Sequence, residues 1–159
     1  LRFDKNMTEL LVEYENIPII LMHMLGNPKN MQINPTYSNV IKELLQFFSE
    51  RIETCLKKGI KENRIIIDPG IGFGKRHEDN LKILNNLEAF RSLGFPVVLG
   101  ASRKSFIGKI YPSSVSDRLA GTLATTALAF EKKIDFIRVH DVKENYRLLK
   151  TLTTIKEIL

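Results

Sequence analysis

The sequence predicts an α/β fold with a parallel sheet, either doubly wound or part of a (βα)8 barrel. Short aliphatic runs alternate with longer amphipathic segments four times after a first helix, the order that gives parallel strands. The predicted strands end at Met22, Asp68, Gly100 and His140. These ends recur at spacings typical of barrel units. Four units make half of a barrel, since a complete one needs about 250 residues.

Composition narrows the class of protein. The chain has 159 residues, 43% of them hydrophobic and 26% charged, as in ordinary globular domains. It lacks both an apolar run of roughly 20 residues and a signal-peptide pattern, so we expect a cytoplasmic protein with no membrane partner. Cys55 is alone, which excludes an internal disulfide. The net charge of +6 suggests an anionic ligand, but the basic residues are dispersed, so we expect no nucleic-acid partner.

The first predicted elements are a helix, a strand and a long second helix. A weak apolar stripe predicts a helix over residues 5–15, and I-P-I-I-L-M-H-M over residues 17–24 is typical of a buried strand. Apolar residues at intervals of three and four predict an amphipathic helix from about residue 36 to 58, which Gly59 ends.

The second strand delivers a carboxylate into a glycine-rich turn. Residues 64–68 read R-I-I-I-D, and P-G-I-G-F-G-K follows directly. Glycines such as Gly72 let the backbone approach a flat ligand, while the ring of Phe73 contacts it. The alternative is a strand end with a flexible turn, in which Asp68 makes local backbone hydrogen bonds. This stretch alone does not decide between the two.

The second half repeats the alternation of strands and helices. We predict a helix over residues 78–93, a strand at 97–100, a helix over 116–132, a strand at 135–140 and a last helix from Asp141, where D-V-K-E resembles a capping box. The connection over residues 101–116 is predicted to be irregular and is longer than usual. Function concentrates in such connections.

On the first strand, the two-residue period puts Met22 and Met24 on one face and His23 on the other. We therefore expect His23 to pack against the helix layer rather than to bind a ligand. Met22 suits the floor of a planar pocket, because thioethers pack well on aromatic rings. Filling the core is an equally good interpretation of Met22.

Polar groups follow the third and fourth strands. Ser102 and Lys104 come just after Gly100 and offer donors to a carbonyl or an anion, although a solvated basic loop has the same composition. Arg138 and His140 lie two residues apart and project from one face of the fourth strand. Arginine offers a fork for phosphate and histidine adds a donor or a proton.

We predict an anion site at Arg138 and His140, in preference to a structural ion pair between this group and Asp141. Other ligand motifs are absent from the sequence. There is no P-loop and no G-x-G-x-x-G, and the three histidines lack metal-ligand spacing, so no metal ligand is predicted.

Four stretches together resemble dihydropteroate synthase, the pterin-binding transferase of folate biosynthesis. They are L-M-H-M with G-N-P and M-Q (residues 21–32), D-P-G-I-G-F-G-K (68–75), G-A-S-R-K with F-I-G (100–108) and R-V-H-D-V (138–142). The match covers essentially the whole chain but only the C-terminal half of the family. The implied fold is one partial barrel over residues 1–159, the C-terminal half of a TIM barrel whose N-terminal half is absent.

The resemblance implies a reaction and a set of roles. The family condenses 6-hydroxymethyl-7,8-dihydropterin pyrophosphate with p-aminobenzoate to give 7,8-dihydropteroate and pyrophosphate, and it is a sulfonamide target. It implies Lys104, Arg138 and His140 as catalytic residues. The implied substrate-binding residues are Met22, Asp68, Gly72, Phe73, Gly100, Ser102, Lys104, Arg138 and His140.

Within that set, Asp68 resembles the carboxylate that pairs with the pterin edge, and Lys104 the lysine on the pterin's polar edge. Met22, Gly72 and Phe73 resemble pocket walls, and Ser102 a contact for the p-aminobenzoate carboxylate. Arg138 resembles the residue that stacks on the pterin and holds pyrophosphate with His140. The family also implies Mg²⁺, with its protein contact in the missing half.

The missing half limits what this chain does alone. We expect it to need a separate N-terminal half or a second copy, to form a homodimer, and to be weak or inactive by itself. Because Leu1 is not methionine, we expect a longer parent polypeptide. The alternatives are a non-catalytic pterin-binding module and a pterin-dependent methyltransferase, although the latter has no pyrophosphate to hold.

Overall fold

The computed structural model describes Asp4 and residues 6–158 and contains four parallel strands. They are β1 (Ile19–Met22), β2 (Ile65–Asp68), β3 (Val98–Leu99) and β4 (Phe136–Ile137). β1 pairs with β2, and β3 pairs with β4. A single bridge between Ile67 and Val97 joins the two pairs, so the strands lie in chain order. Each strand falls inside its predicted range, and the α/β fold with parallel strands is confirmed.

Seven helices occur in the described part of the chain. They are α1 (Met7–Glu13), α2 (Val40–Lys57), α3 (His77–Asn85), α4 (Leu87–Arg91), α5 (Ser105–Ile110), α6 (Leu119–Glu131) and α7 (Val142–Glu157). Short 3-10 turns cover Glu62–Arg64 and Val115–Asp117. Lys5, at the predicted start of the first helix, lies outside the described residues. None of the helices described is long and apolar enough to cross a membrane.

Three helical predictions were wrong in detail. The helix predicted over residues 78–93 is two helices, because the Asn86 side chain donates to the Lys82 carbonyl at 2.8 Å and ends α3. The connection predicted to be irregular contains α5, which Phe106 and Ile107 anchor in the core. Asp141 does not cap α7 through its side chain, because its carboxylate binds Arg103.

The hydrophobic core lies between the helices and one face of the strands. In α2 the side chain of Asn39 accepts from the Lys42 amide and begins the helix. Its buried stripe is Val40, Leu44, Phe48, Ile52 and Cys55. These side chains join Ile65 and Ile67 of β2 in one cluster. The intervals of four and three in α2 match the helical repeat, so the sequence pattern predicted this helix well.

The opposite face of the strands is open. Along β1, Ile19 and Leu21 are buried against the helices, while Ile20 between them is 54% exposed. Phe136 of β4 is 51% exposed. Within the described residues, nothing covers these two side chains. An apolar sheet face of this kind is normally buried against another layer.

The turn between β2 and α3 depends on glycine. Gly70 has φ +69°, and a Cβ there would lie 2.0 Å from the carbonyl oxygen of His23. Any side chain would therefore force apart the end of β1 and the turn. By contrast, Gly59 has φ +88°, but a Cβ added there would meet no atom within 4 Å, so this position needs glycine only for its backbone conformation.

We predict that Gly70→Ala is much more damaging than Gly59→Ala, although both residues have positive φ. The left-handed conformation alone costs alanine about 1 to 2 kcal/mol. At Gly70 the clash with the His23 backbone should add about 2 kcal/mol or more. Urea unfolding of the two variants measures the difference. Equal destabilisation would contradict the close approach seen at Gly70.

Candidate functional site

Three charged side chains converge at the C-terminal ends of neighbouring strands. Asp68 ends β2, Lys104 follows β3 and Arg138 follows β4. The Asp68 side chain accepts from the Gly70 amide at 2.7 Å, and its other carboxylate oxygen lies 3.5 Å from Nη2 of Arg138. Asp68 therefore makes the local backbone hydrogen bond expected of a strand end with a flexible turn. It also faces the cations that follow the adjacent strands.

Two opposing influences act on the pKa of the Asp68 carboxyl. The residue is only 3% exposed, and burial raises the pKa of its carboxyl above the usual range. The Gly70 amide and the charges of Arg138, Lys104 and Lys75 act in the opposite direction. The protein thus keeps a carboxylate in a largely desolvated place and surrounds it with cations.

Lys104 lies across the glycine turn. Its ammonium donates to the carbonyl of Ile71 and sits 4.1 Å from the centroid of the Phe73 ring. A Cβ at Gly72 would lie 3.2 Å from Cδ of Lys104, so the missing side chain makes room for the lysine stem. Burial and the neighbouring Arg138 lower the pKa of Lys104 to about 8, while Asp68 opposes that shift.

The missing side chain at Gly100 leaves the space in which the Arg138 guanidinium lies. A Cβ at Gly100 would lie 2.9 Å from Nη2 and 3.2 Å from Nε of the arginine. The guanidinium therefore lies over the end of β3 on its way to Asp68. Its side chain remains 63% exposed, so most of the fork is open to solvent. An open guanidinium is well suited to receive an anion.

The loop after β3 is bound to the loop after β4 by two adjacent contacts. Ser102 Oγ lies 2.9 Å from Nδ1 of His140 and accepts the His140 amide at 3.2 Å. The Arg103 guanidinium binds both carboxylate oxygens of Asp141, at 3.0 Å and 2.5 Å. This bond lowers the pKa of Asp141. Asp141 thus pairs with Arg103, whereas the ion pair of Arg138 is with Asp68.

Met22 is brought to the same place by strand register. It is half-buried and is the direct neighbour of Asp68 in the β1–β2 ladder. Strand β1 ends at Met22, so the alternation of faces does not extend to Met24, which is buried. His23 is buried against the helix layer as predicted, with its ring edge-on to Phe47 of α2 at a centroid distance of 4.8 Å.

Sequence reasoning missed the residues that hold the glycine turn. The Gln32 side chain donates to the Gly72 carbonyl at 2.7 Å, and the Tyr37 hydroxyl donates to the Gly74 carbonyl at 2.6 Å. Asn80 Oδ1 accepts the Gly72 amide at 2.6 Å. The first two partners are about 40 residues away in the chain, and no local pattern reveals them. The lysine at the end of the turn, Lys75, was missed as well.

The described residues do not fit a protein-held magnesium ion. Among them, no group of three or more histidine, cysteine, aspartate or glutamate side chains could hold a metal ion. The carboxylate at the centre of the site, Asp68, is instead neighboured by cations.

Comparison with known proteins identifies relatives. Dihydropteroate synthase of Clostridium beijerinckii is 43% identical over 148 residues, which is 92% of this chain and 52% of that protein. The Haemophilus influenzae enzyme of the same name is 42% identical over 134 residues, 84% of this chain and 49% of that protein. The chain therefore spans about half the length of the curated relatives it matches.

Solved structures give the same result. The Yersinia pestis dihydropteroate synthase in complex with a sulfonamide drug superposes with a TM-score of 0.94 at 32% identity, over 99% of this chain and 57% of that one. The Xanthomonas albilineans enzyme in complex with 7,8-dihydropteroate gives a TM-score of 0.88 at 32% identity, over 97% and 56%. The resemblance predicted from four short stretches is confirmed.

A sequence model of one family covers most of the chain. That family is described as pterin binding enzyme, and its model matches residues 1–140. These residues include β1 to β4 and every side chain proposed above to bind or act on a ligand. The chain belongs to the pterin binding enzyme family.

Proposed function

We propose that the chain is the C-terminal half of a dihydropteroate synthase TIM barrel, a transferase of folate biosynthesis. The observation that carries the proposal is the convergence of Asp68, Lys104 and Arg138 at three adjacent strand ends, beside the glycine turn. Solved Xanthomonas albilineans relatives contain 4-aminobenzoic acid in one case and 7,8-dihydropteroate in another. Those ligands support p-aminobenzoate and a pterin as the substrates here.

Asp68 is the group we assign to the pterin edge. A carboxylate offers two acceptor oxygens to the parallel N–H donors of an aminopterin ring. One oxygen already accepts the Gly70 amide, which fixes the orientation of the carboxylate but leaves lone pairs for a ligand. Lys104 supplies a donor to the polar edge of the ring. Gly72 and Phe73 of the turn and Met22 of β1 are the proposed walls.

Arg138 and His140 are the groups we assign to pyrophosphate. In the family reaction pyrophosphate departs, and the arylamine then attacks the pterin carbocation. Catalysis consists of stabilising the leaving anion and positioning the nucleophile. The exposed fork of Arg138 and the exposed ring of His140 lie where an anion can approach from solvent.

Ser102 orients His140 in this proposal. Because the Ser102 oxygen accepts the His140 amide, its own proton is available to Nδ1. A neutral His140 then carries its ring proton on Nε2, as a donor for the anion. The assignment of Ser102 to the p-aminobenzoate carboxylate stays a prediction, since this hydroxyl is already used twice.

The open sheet face is the reason to propose a partner. Ile20 and Phe136 lie uncovered on the face that would point into a closed barrel. A separate N-terminal half, or a second copy of this chain in a homodimer, would bury them. The magnesium contact belongs to that other half in this proposal. The isolated chain should be weak or inactive, and we propose that the complete enzyme acts in the cytoplasm.

A chimera tests the function directly. The 159 residues would replace the matching half of the Clostridium beijerinckii synthase, and pyrophosphate release would be measured with both substrates present. Release that requires both substrates supports the proposal, and the same chimera carrying Asp68→Ala is the negative control. Pterin binding without turnover would favour a non-catalytic pterin-binding module, a role that the half-length match also allows. Methyl transfer from methyltetrahydrofolate to a corrinoid would overturn the proposal.

We predict that Asp68→Ala abolishes measurable pterin binding. Each ligand donor left buried without a partner costs roughly 1 to 3 kcal/mol, so two donors lose at least about thirtyfold in affinity. Titration calorimetry with 6-hydroxymethyl-7,8-dihydropterin pyrophosphate measures the loss. Glu78→Ala, which removes an exposed acid at the start of α3, is the matched control and should bind normally. Retained binding in Asp68→Ala would contradict the assignment.

Arg138→Ala should weaken the pyrophosphate-bearing substrate more than plain 6-hydroxymethyl-7,8-dihydropterin. Loss of charge-assisted bonds to the anion should cost about 1.5 to 3 kcal/mol, about tenfold to more than hundredfold, while a pterin without the anion loses only stacking and the support that Arg138 gives to Asp68. Arg147→Ala removes an exposed arginine of α7 and serves as the control. Equal losses for both ligands would remove Arg138 from the anion site.

Pterin affinity should pass through a maximum with pH. Protonation of Asp68 removes the acceptor, so affinity falls as the pH drops through its raised pKa. Deprotonation of Lys104 removes a donor, so affinity also falls as the pH rises through its pKa of about 8. Lys104→Met should lower the affinity and reduce its alkaline loss, of which the part due to Lys75, with a pKa of about 7, remains. Ionisation of the ligand itself contributes equally to the measurements with the wild type and with Lys104→Met. An alkaline loss of the same size in the two proteins would therefore contradict the role of Lys104.

A further inference from the structure

A buried lysine lies directly beneath the glycine turn. Lys75 is 4% exposed, and its Nζ lies 3.0 Å from Nδ1 of His23, itself 6% exposed. The same ammonium donates to the Gly70 carbonyl at 2.9 Å and the Phe73 carbonyl at 3.1 Å. One side chain therefore joins the residue after β1 to two points of the turn.

The geometry uses the full donor capacity of an ammonium group. Lysine has three N–H donors, and four acceptors surround them: the ring nitrogen of His23, its carbonyl at 3.4 Å, and the two carbonyls of the turn. The turn carbonyls belong to Gly70 and Phe73, which bracket Ile71 and Gly72. The Ile71 carbonyl between them accepts from Lys104. The ammonium of Lys104 also lies beside the ring of Phe73.

The charge of Lys75 is opposed by the burial of its ammonium group. Burial is the main influence and lowers the pKa of Lys75 to about 7, and nearby Lys104 acts in the same direction. Asp68 and Asp79 oppose them. If the position needed only volume, an apolar side chain would fill it without burying an amine. The hydrogen bonds of the Lys75 ammonium therefore distinguish this residue from one that only fills space.

We propose that Lys75 is a positioning residue for the pterin site. Through His23 it holds the Gly70–Phe73 turn against the end of β1, and it thereby places Phe73 and the carbonyl that orients Lys104. Lys75 is too deeply buried to touch the ligand, so it acts through the turn. This inference rests on the proposed function, because the turn is a pterin wall only if the site binds a pterin.

The test compares Lys75→Met with Lys82→Met, which removes one exposed positive charge from α3. Both ligands are titrated into the chimera that joins these 159 residues to the matching half of the Clostridium beijerinckii synthase: 6-hydroxymethyl-7,8-dihydropterin and inorganic pyrophosphate. Lys75→Met should weaken the pterin about tenfold to hundredfold, the value of lost charge-assisted bonds, and leave pyrophosphate within about twofold. Lys82→Met should change neither affinity.

The comparison of two ligands separates positioning from simple stabilisation. A residue that only stabilises the fold would weaken both ligands equally, in proportion to the unfolded fraction. Equal weakening of pterin and pyrophosphate by Lys75→Met would therefore overturn the inference. Unchanged pterin affinity would overturn it as well.

A pair of substitutions at His23 tests the acceptor. His23→Asn keeps an acceptor oxygen near the position of Nδ1, and His23→Leu removes it. Asn should bind the pterin within about threefold of the wild type, whereas Leu should behave like Lys75→Met. Equal loss in both would assign His23 to packing on Phe47 and overturn its part in the inference.

Failure of the proposed function would be seen separately. If the chimera with the wild-type sequence binds no pterin, the proposed function fails at that point. The inference is then judged by the amide signals of Gly70, Gly72 and Phe73 in ¹H–¹⁵N spectra. Lys75→Met should shift these signals and Lys82→Met should leave them in place. Unshifted signals in Lys75→Met would overturn the inference independently of any ligand.

Discussion

The burial of the Asp68 carboxylate is the constraint on which the rest of the site depends. A charge that is 3% exposed needs compensation, and it receives it from the Gly70 amide at 2.7 Å and from Arg138 at 3.5 Å. The amide can reach the carboxylate only because the turn folds back at Gly70. The arginine can reach it only because Gly100 has no side chain in its path. Both glycines thus follow from the position of one carboxylate.

The two-residue period of the strands places core side chains on one face and the side chains of the candidate site on the other. Leu21 of β1 faces the helices and belongs to the core, while Met22 stands beside Asp68. Substitutions on one face should therefore affect mainly folding, and those on the other mainly binding. The same alternation leaves Ile20 and Phe136 exposed. The open face and the half-length match to the relatives both support the proposal of a second half that completes the barrel.

Local patterns were sufficient for most of the fold and for the charged groups of the site. The strands and α2 follow from runs and periods that neighbouring residues display. The helix α5 was missed, because six residues contain fewer than two helical turns. The Lys75–His23 contact was missed for a different reason: its partners are 52 residues apart, and only the β1–β2 register brings them together. Contacts that depend on register have no signature in the local sequence.

The charge balance of the site connects the pterin and anion halves of the proposal. Asp68 faces Lys75, Lys104 and Arg138, so the immediate surroundings carry more positive than negative charge. Burial lowers the pKa of both lysines, and repulsion lowers it further, from Lys104 at Lys75 and from Arg138 at Lys104. A pyrophosphate group that binds beside Arg138 would relieve part of this repulsion and raise the pKa of Lys104. Anion binding and protonation of Lys104 should therefore favour each other by linkage. The pyrophosphate end of the substrate would thus help to keep Lys104 protonated, and the protonated Lys104 is the donor to the pterin end.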